Sequence, residues 1–283
     1  MRIAMIGTGY VGLVQGVCLA ELGNEVICVD IDAEKIKKLN EGISPIYEPG
    51  IEELINTNLK AHRITFTTKL AENMENSEII FIAVGTPSDD GGRADLKYVV
   101  VAAEEIGKNL KHYQVIVNKS TVPIGTGKLV RKTIKKFYKG RFDVVSNPEF
   151  LREGSAIHDF YNPPFTAIGC ATSRGGDTVA RLYDGVVASV EKTSFEAAEM
   201  LKYACNSFHA VKITFANEIG SLCKGLGIDS HRVIDLFVKD EKLNISKAYL
   251  KPGFAFGGSC LPKDLRALLY KSKELDLDSP LLA

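Results

Sequence analysis

Three stretches of the sequence combine side chains that can carry out covalent or acid–base chemistry. The first runs Gly257-Gly258-Ser259-Cys260-Leu261-Pro262-Lys263-Asp264. A thiolate is stabilised at the beginning of a helix and beside a lysine, so we interpret Cys260 as a nucleophile. The alternative, a buried and unreactive thiol, is our interpretation of the other five cysteines, none of which belongs to a CxxC pair.

The second stretch lies in a long proline-free segment that is apolar at helical spacing. Lys202, Asn206 and His209 recur there at intervals of four and three residues, which places them on one helical face. A lysine and an asparagine among apolar side chains need partners, because burying them without hydrogen bonds is costly. Structural pairing within the protein and a polar substrate pocket both meet this need, and both interpretations stay open.

The third stretch is Asn147-Pro148-Glu149-Phe150-Leu151-Arg152-Glu153-Gly154. Glu149 and Glu153 are four residues apart, so in a helix they would share one face and could supply a general base. A solvent-exposed helix start is the alternative interpretation of the same two carboxylates.

A glycine-rich run near the N-terminus, Gly7-Thr8-Gly9-Tyr10-Val11-Gly12, follows a short apolar strand and opens a helix. Gly7 permits a tight turn, Gly9 lets the backbone approach a pyrophosphate, and Gly12 lets the helix pack on the strand. A second strand ends at Asp30. An acidic side chain there accepts hydrogen bonds from a ribose and repels a 2′-phosphate, so the pattern predicts NAD rather than NADP.

Further cofactor contacts are expected beyond this run. Lys35 lies one turn into the next helix, within reach of the ribose or a phosphate. Thr86 and Thr121 each follow an apolar strand, and the carboxyl ends of parallel strands face the ligand crevice. We expect both threonines to line the nicotinamide side of the cofactor. Threonines that cap turns before a proline are the alternative.

The hydrophobic pattern predicts the elements that position these side chains. Short apolar runs at residues 3–6, 26–29, 79–84, 115–117 and 144–145 alternate with helical segments. Strands that are apolar on both faces predict a parallel sheet covered by helices. Residues 195–226 predict a helix of about 30 residues, a length typical of a hub between domains or subunits. The predicted fold is α/β, with a sheet domain at residues 1–190 and a helical domain at residues 191–283.

Composition excludes several classes of protein. Lys plus Arg and Asp plus Glu each total 35, so no net charge attracts nucleic acid or an anionic membrane surface. No apolar run approaches the roughly 18 residues of a membrane-spanning helix, and no signal peptide is recognisable. The cysteine and histidine spacings predict no metal site. We expect a cytoplasmic enzyme without membrane or nucleic-acid partners.

Together these motifs resemble those of the nucleotide-sugar 6-dehydrogenases, over essentially the whole chain. The resemblance implies a Rossmann-type NAD-binding domain, a long-helix central domain, and oxidation of a sugar C6 alcohol to a carboxylate with reduction of two NAD. One cysteine would serve both oxidation steps, through a thiohemiacetal and then a thioester. The length and apolar breadth of the predicted helix indicate a homodimer formed through it.

The resemblance also implies roles for individual residues. Cys260 is implied as the nucleophile, and the other catalytic residues are Thr121, Glu149, Lys202, Asn206 and Asp264. The implied cofactor contacts are Gly7, Gly9, Tyr10, Val11, Gly12, Asp30, Lys35, Thr86, Thr121, Glu153 and Lys263. The implied substrate contacts are Glu149, Phe150, Leu151, Glu153, Lys202, Asn206, His209, Asn217, Tyr249, Lys251, Phe254 and Gly257.

The substrate implied first is GDP-mannose, oxidised to GDP-mannuronate, because residues 208–218, 242–244 and 254–257 look most like the GDP-mannose enzymes. UDP-glucose is the alternative. Two positions depart from the pattern: Ala248 stands for an expected aromatic residue, and Lys251 for an arginine, which keeps the charge but loses the bidentate geometry. The resemblance implies a further α/β domain past Pro280. We expect either that these residues are a truncated form or that a separate polypeptide completes the site, so we predict an incomplete site and weak or absent turnover from these residues alone.

Two other hypotheses compete with this one. A 3-hydroxyacid or 6-phosphogluconate type of dehydrogenase also joins a dinucleotide-binding domain to a long-helix domain, but it needs no thiol. A regulatory or scaffold protein would bind NAD without responding to nucleotide sugars.

Overall fold

The computed structural model describes residues 1–241 and 253–274, with the backbone alone at residues 218, 221, 222, 225, 268, 271 and 272. The chain forms two compact units. The first consists of Met1–Thr86 and Asp95–Lys202, and the second of Pro87–Ala94 together with the chain from Tyr203 onward. The domain boundaries at residues 1–190 and 191–283 stay a prediction.

The first unit contains an eight-stranded sheet in the order β3-β2-β1-β4-β5-β6-β7-β8. Its strands are β1 (Arg2–Ile6), β2 (Glu25–Val29), β3 (Ile64–Thr67), β4 (Ile79–Ile82), β5 (Val115–Asn118), β6 (Asp143–Ser146), β7 (Thr166–Cys170) and β8 (Val190–Thr193). All neighbouring strands pair in parallel except β6 and β7, which are antiparallel. The predicted α/β class with a parallel sheet is confirmed.

The chain contains helices in both units. They are α1 (Tyr10–Glu21), α2 (Ala33–Asn40), α3 (Ile51–Lys60), α4 (Leu70–Met74), α5 (Lys97–Asn109), α6 (Thr126–Phe137), α7 (Ala156–Tyr161), α8 (Ser173–Ala180), α9 (Phe195–Gly225), α10 (Ser230–Phe237) and α11 (Leu261–Glu274). The 31 residues of α9, which begins in the first unit and ends in the second, confirm the predicted long helix. Among the described helices, none is both long enough and apolar enough to cross a membrane.

Apolar side chains bury the sheet on both faces, as strands without alternation require. On one face, Met5, Phe81 and Val117 belong to a core shared with α1, α3 and α7. On the other face, Ile80 and Ile116 belong to a core shared with α5 and α6. Loops that begin at the carboxyl ends of these strands carry the predicted residues Gly7, Gly9, Asp30, Thr86, Thr121, Glu149, Phe150, Leu151 and Glu153.

Candidate functional site

The glycine-rich run forms the turn between β1 and α1. Gly7 has a φ of +99°, and a Cβ atom there would lie 2.5 Å from the carbonyl oxygen of Ala83. A Cβ on Gly12 would lie 2.0 Å from the carbonyl oxygen of Gly7, whereas one on Gly9 would meet no atom within 4 Å. The turn is thus tightly packed against the strands and open at Gly9. The free N–H groups at the beginning of α1 can face an anionic ligand there.

A cavity of about 410 Å³ lies beside this turn, within the first unit. The lining includes the predicted residues Gly7, Gly9, Asp30 and Lys35. The sequence did not indicate the other lining residues, which include Ile31, Thr68, Val84, Tyr98, Val101 and Glu105. A mostly apolar cavity with a few polar groups suits an adenosine moiety, so the residues present fit the predicted dinucleotide.

Asp30 follows β2 and is held by the glycine-rich run itself. Its Oδ2 accepts hydrogen bonds from the amide and hydroxyl of Thr8, at 2.9 and 2.7 Å, and from Nζ of Lys35 at 3.0 Å. Burial opposes ionisation of Asp30, but the hydrogen bonds from Thr8, Asp32 and Lys35 outweigh it and lower the pKa to about 2. Asp30, the residue predicted to contact the ribose, is therefore ionised at neutral pH.

Thr86 and Thr121 come together at the ends of β4 and β5. The hydroxyl of Thr86 donates to the carbonyl oxygen of Thr121 at 2.8 Å, and the Thr86 side chain is buried. This hydrogen bond joins the two turns. Such a bond is consistent with the alternative interpretation, in which the threonines stabilise turns before a proline.

Residues 147–155 form a loop between β6 and α7 rather than a helix. The predicted helical face shared by Glu149 and Glu153 is therefore wrong. Pro148 disfavours helical backbone at Asn147, and Gly154 adopts a φ of +85°, outside the helical region. Glu153 is exposed, whereas Glu149 is buried.

The loop brings Glu149 against the beginning of α9. Oε1 of Glu149 lies 2.9 Å from Nζ of Lys202, and each side chain is only 7% exposed. Oε2 of Glu149 accepts a hydrogen bond from the amide of Leu151 at 2.5 Å, and Nζ of Lys202 lies 5.7 Å from the ring centre of Phe150. Four of the predicted substrate-binding residues thus form one cluster in the first unit.

A buried polar network adjoins this cluster and had no counterpart in the sequence predictions. Nζ of Lys119 lies 3.0 Å from Oδ1 of Asn147 and 3.2 Å from the hydroxyl of Tyr183. That hydroxyl donates to Oδ1 of Asn147 at 2.5 Å and accepts from Nε2 of Gln15 at 3.1 Å. Burial lowers the pKa of Lys119 to about 7, against a raising effect of Glu149.

Glu48 fixes the loop of residues 147–155 from a third segment of the chain. Its buried carboxylate accepts hydrogen bonds from the amides of Gly154, at 2.9 Å, and Ile157, at 3.3 Å. The hydroxyl of Tyr10 donates to Glu48, and burial followed by this bond raises the pKa of Tyr10. Tyr10 belongs to the glycine-rich run, so one carboxylate joins the predicted cofactor turn to the loop that carries Glu149 and Glu153.

Glu199 performs a similar role at the beginning of α6. Its carboxylate accepts hydrogen bonds from the amides of Gly125 at 2.6 Å and Gly127 at 2.7 Å, where a helix leaves N–H groups unpaired. Burial raises the pKa of Glu199 to about 7, although these two hydrogen bonds oppose the rise. Glu199 lies one turn before Lys202 on α9, so this helix contacts the segments that follow both β5 and β6.

In the second unit, Cys260 directly precedes α11, as the sequence predicted. Its carbonyl oxygen accepts the amide of Asp264 at 2.9 Å, the thiol is exposed, and Sγ lies 3.6 Å from the hydroxyl of Ser259. An exposed thiol at a helix start is accessible to a reactant. Of the other cysteines, Cys18, Cys28 and Cys223 are buried as predicted, but Cys170 and Cys205 are only half-buried.

Among the charged residues that were predicted to be catalytic, Asp264 is the most deeply buried, at 1% exposure. It accepts a hydrogen bond from Nδ2 of Asn206, and it forms an ion pair with Lys263 at 2.6 Å. The second unit therefore brings together three predicted residues that lie on two helices, α9 and α11.

Asn217 organises a further part of the predicted substrate contacts. Its side chain accepts from the amide of Gly253 at 2.7 Å and donates to the carbonyl oxygen of Phe254 at 3.1 Å, and the Phe254 ring is fully exposed. His209 lies on α9, and Gly257 lies in the segment before the turn that ends at Cys260. Tyr249 and Lys251 lie outside the described residues. Val11 lies in the first turn of α1.

Comparisons with known proteins agree with this division of the site. The NAD binding domain of the UDP-glucose/GDP-mannose dehydrogenase family matches residues 1–187, and the central domain of that family matches residues 196–283. The chain belongs to the UDP-glucose/GDP-mannose dehydrogenase family. NAD is accordingly the cofactor of its first domain.

The similar proteins include enzymes named for UDP-glucose and enzymes named for GDP-mannose. UDP-glucose 6-dehydrogenase TuaD of Bacillus subtilis (strain 168) is 52% identical over 96% of this chain and 59% of its own length. GDP-mannose 6-dehydrogenase of Pseudomonas putida is 46% identical over 100% of this chain and 66% of its own length. A UDP-glucose dehydrogenase structure from Pyrobaculum islandicum superposes with a TM-score of 0.96 at 38% identity, over 99% of this chain and 66% of that one. The chain spans less than two thirds of the length of these relatives.

Proposed function

We propose that the chain forms the cofactor-binding and catalytic parts of an NAD-dependent nucleotide-sugar 6-dehydrogenase, which oxidises a C6 alcohol to a carboxylate. The observation that carries this proposal is the exposed thiol of Cys260 at the start of α11, one turn before the buried pair of Asp264 and Asn206. A single alcohol oxidation needs no thiol. A nucleophile becomes necessary only when the aldehyde is oxidised further.

In the first oxidation, the C6 hydroxyl loses its proton while the C6 hydrogen leaves as hydride. Glu149 is the proposed base, acting through a water molecule held with Thr121. NAD, when bound, accepts the hydride in each oxidation. Lys202 keeps Glu149 oriented through the 2.9 Å ion pair and offers its ammonium to the developing alkoxide.

In the second oxidation, Sγ of Cys260 gives up its proton to water and adds to the aldehyde carbon, which forms the oxyanion of a thiohemiacetal. This oxyanion releases a second hydride as the C=O bond forms again. The product is a thioester on Cys260. Water attacks the thioester carbon, the C–S bond breaks, and the carboxylate leaves with the thiol restored. Asn206 and Lys202 are the proposed donors to the oxyanion at each tetrahedral stage, a contribution typically of about 3–4 kcal/mol per donor. Asp264 orients Asn206.

The sugar is GDP-mannose or UDP-glucose. The motifs of residues 208–218 and 254–257 favour GDP-mannose, whereas the 52% identity to a UDP-glucose enzyme favours UDP-glucose. The test is a parallel assay of NADH release with UDP-glucose, GDP-mannose and UDP-N-acetylmannosamine, using the complete polypeptide that contains these residues. One sugar nucleotide turned over with two NADH per sugar is the expected result. One NADH per sugar, or none with all three, contradicts the proposal.

A regulatory NAD-binding protein is the alternative, and thermal denaturation separates it from the enzyme. For the enzyme, the melting temperature rises with NAD and rises again when the correct nucleotide sugar is added. For the alternative, NAD stabilises the protein and neither sugar nucleotide adds to the effect.

We also propose a homodimer formed through α9. Two phenylalanine side chains on this helix are partly exposed to solvent: Phe208 is 40% exposed and Phe215 is 39% exposed. Exposed apolar side chains on one helix are typical of an interaction surface. Light scattering is expected to give twice the mass of the chain, and substitution of Phe208 by Glu is expected to lower it. A monomeric mass at high protein concentration contradicts the dimer.

A further inference from the structure

Three charged side chains are buried around the loop of residues 147–155, and their charges do not balance. Glu149 and Lys202 form an ion pair with each side chain 7% exposed, and Lys119 is 4% exposed. Among the residues that the structure describes, Lys119 has no carboxylate partner at salt-bridge distance; its contacts are the neutral side chains of Asn147 and Tyr183. Two ammonium groups thus share one carboxylate.

The remaining charged groups nearby do not supply the missing negative charge. Asp159 lines the same small cavity of about 30 Å³ as Lys119 and Glu149, but its carboxylate is bound to Arg152 at 2.7 and 2.9 Å. Gln15, which completes the network through Tyr183, is neutral. The cluster of Lys119, Lys202 and Glu149 therefore carries an excess of one positive charge when all three are ionised.

An unpaired buried ammonium lowers the stability of a protein. Removing its hydration is unfavourable, and an apolar side chain of similar length at the same place commonly stabilises the fold. The lowered pKa of Lys119, about 7, reflects this cost. Packing alone does not explain why a lysine is buried here. An anion that forms nearby during the reaction would explain it, because that anion would balance the charge of the ammonium group.

We propose that Lys119 is an electrostatic and positioning residue that favours the anionic product over the neutral substrate alcohol at this site. The inference rests on the proposed function, in which a neutral C6 hydroxyl becomes a carboxylate next to Glu149. Before oxidation two ammonium groups face one carboxylate, and afterwards they face two. Lys119 acts across the shared cavity and through its hydrogen bond to Asn147, which precedes Glu149 in the loop, without touching the sugar itself.

The test compares the affinities of the complete polypeptide for the nucleotide sugar and for the corresponding nucleotide uronate, in the presence of NADH. For Lys119→Met we expect an affinity for the uronate about tenfold lower than in the wild type, and an affinity for the nucleotide sugar changed by less than about threefold; tenfold corresponds to about 1.4 kcal/mol. The melting temperature at pH 6 should stay the same or rise, because a buried charge is removed.

Tyr183→Phe is the matched control. It removes a hydroxyl from the same network but leaves the ammonium, so the ratio of the two affinities should stay within about threefold of the wild type. Equal losses of both affinities in Lys119→Met, with a lower melting temperature, would show a structural role and overturn this proposal. Absence of binding of both ligands to the wild type would overturn the proposed function, and this proposal with it.

The wild type alone gives a second measurement if Lys119→Met does not fold. Because the ammonium form is the one that attracts the uronate, affinity for the uronate relative to the sugar should fall as pH rises from about 6 to about 8, through the pKa of Lys119. The groups that face Lys119 are Glu149, Lys202, Asp159 and Tyr183. A ratio independent of pH over this range contradicts the proposal.

Discussion

The carboxylate of Glu149 lies 2.9 Å from the ammonium of Lys202, and both side chains are almost completely shielded from solvent. The two residues come from different elements, the loop after β6 and the first turns of α9. A buried ion pair loses much of its attraction to desolvation, but removal of one partner leaves the other as an uncompensated charge. The pair therefore makes the orientation of the proposed base depend on α9.

Substitution of Lys202 by Met tests this dependence. We expect the free energy of unfolding to fall by about 3–5 kcal/mol, because Glu149 remains buried without its partner. The double variant Lys202→Met/Glu149→Gln should recover most of the loss, since neither member of the pair is left as a charge without its partner. Chemical denaturation measures both variants. Additive losses in the double variant would show that the two side chains do not stabilise the fold as a pair.

Gly9 and Gly12 should respond differently to the same substitution. A Cβ at Gly12 would lie 2.0 Å from a backbone oxygen, so Gly12→Ala should lower the melting temperature strongly. A Cβ at Gly9 meets no atom, so Gly9→Ala should fold normally but bind NAD at least about tenfold more weakly, because the methyl group occupies the approach of the pyrophosphate. Calorimetric titration with NAD measures the affinity. Unchanged NAD binding by Gly9→Ala would place the pyrophosphate elsewhere.

Glu48→Ala should loosen the loop that carries Glu149 and Glu153. The amide of Ile157 and the hydroxyl of Tyr10 lose their acceptor, and the amide of Gly154 keeps only the Tyr10 hydroxyl, which together costs about 1–3 kcal/mol. Hydrogen exchange of these two amides should become faster while exchange in β1 and β4 stays slow. Glu53→Ala, at an exposed position of α3, is the control and should leave exchange unchanged. Equal rates in Glu48→Ala and the wild type would rule out this anchoring role.

Glu199 makes the stability of the fold depend on pH. Its pKa is raised by burial from 4.5 to about 7, so between these values the native state holds a proton that the unfolded chain releases. Stability should therefore fall as pH rises from about 4.5 to 7, by up to about 3 kcal/mol from this group, and Glu199→Gln should remove that slope. The charged groups around it are Glu196 and Lys128. A slope identical in both proteins over this range contradicts the assignment.

The local motifs were predictable because their geometry is determined within a few residues. The turn at Gly7, the helix beginning at Tyr10, the carboxylate of Asp30 and the helix start after Cys260 are all properties of short segments. The strands β1, β2, β4, β5 and β6 were predicted because both their faces are apolar. Strand β8, with the sequence Val-Glu-Lys-Thr, has three exposed residues and one half-buried residue, and it carries no such signal.

The contacts that complete the site depend on residues far apart in the chain. Glu48 binds an amide 106 residues away, and Lys119 binds a tyrosine 64 residues away. No periodicity links such positions, so neither partner could be predicted from the sequence. The helical face assigned to Glu149 and Glu153 failed for a local reason, since Pro148 and Gly154 interrupt a helix and this information was present in the sequence.

The most direct test of the proposed reaction is the number of NADH molecules released per sugar by Cys260→Ala. If Cys260 carries the aldehyde to the acid, the complete wild-type polypeptide releases two NADH per nucleotide sugar. The variant then stops at the aldehyde after at most one, while its affinity for NAD is unchanged. Two NADH per sugar from Cys260→Ala, at a rate close to that of the wild type, would contradict covalent catalysis by this thiol.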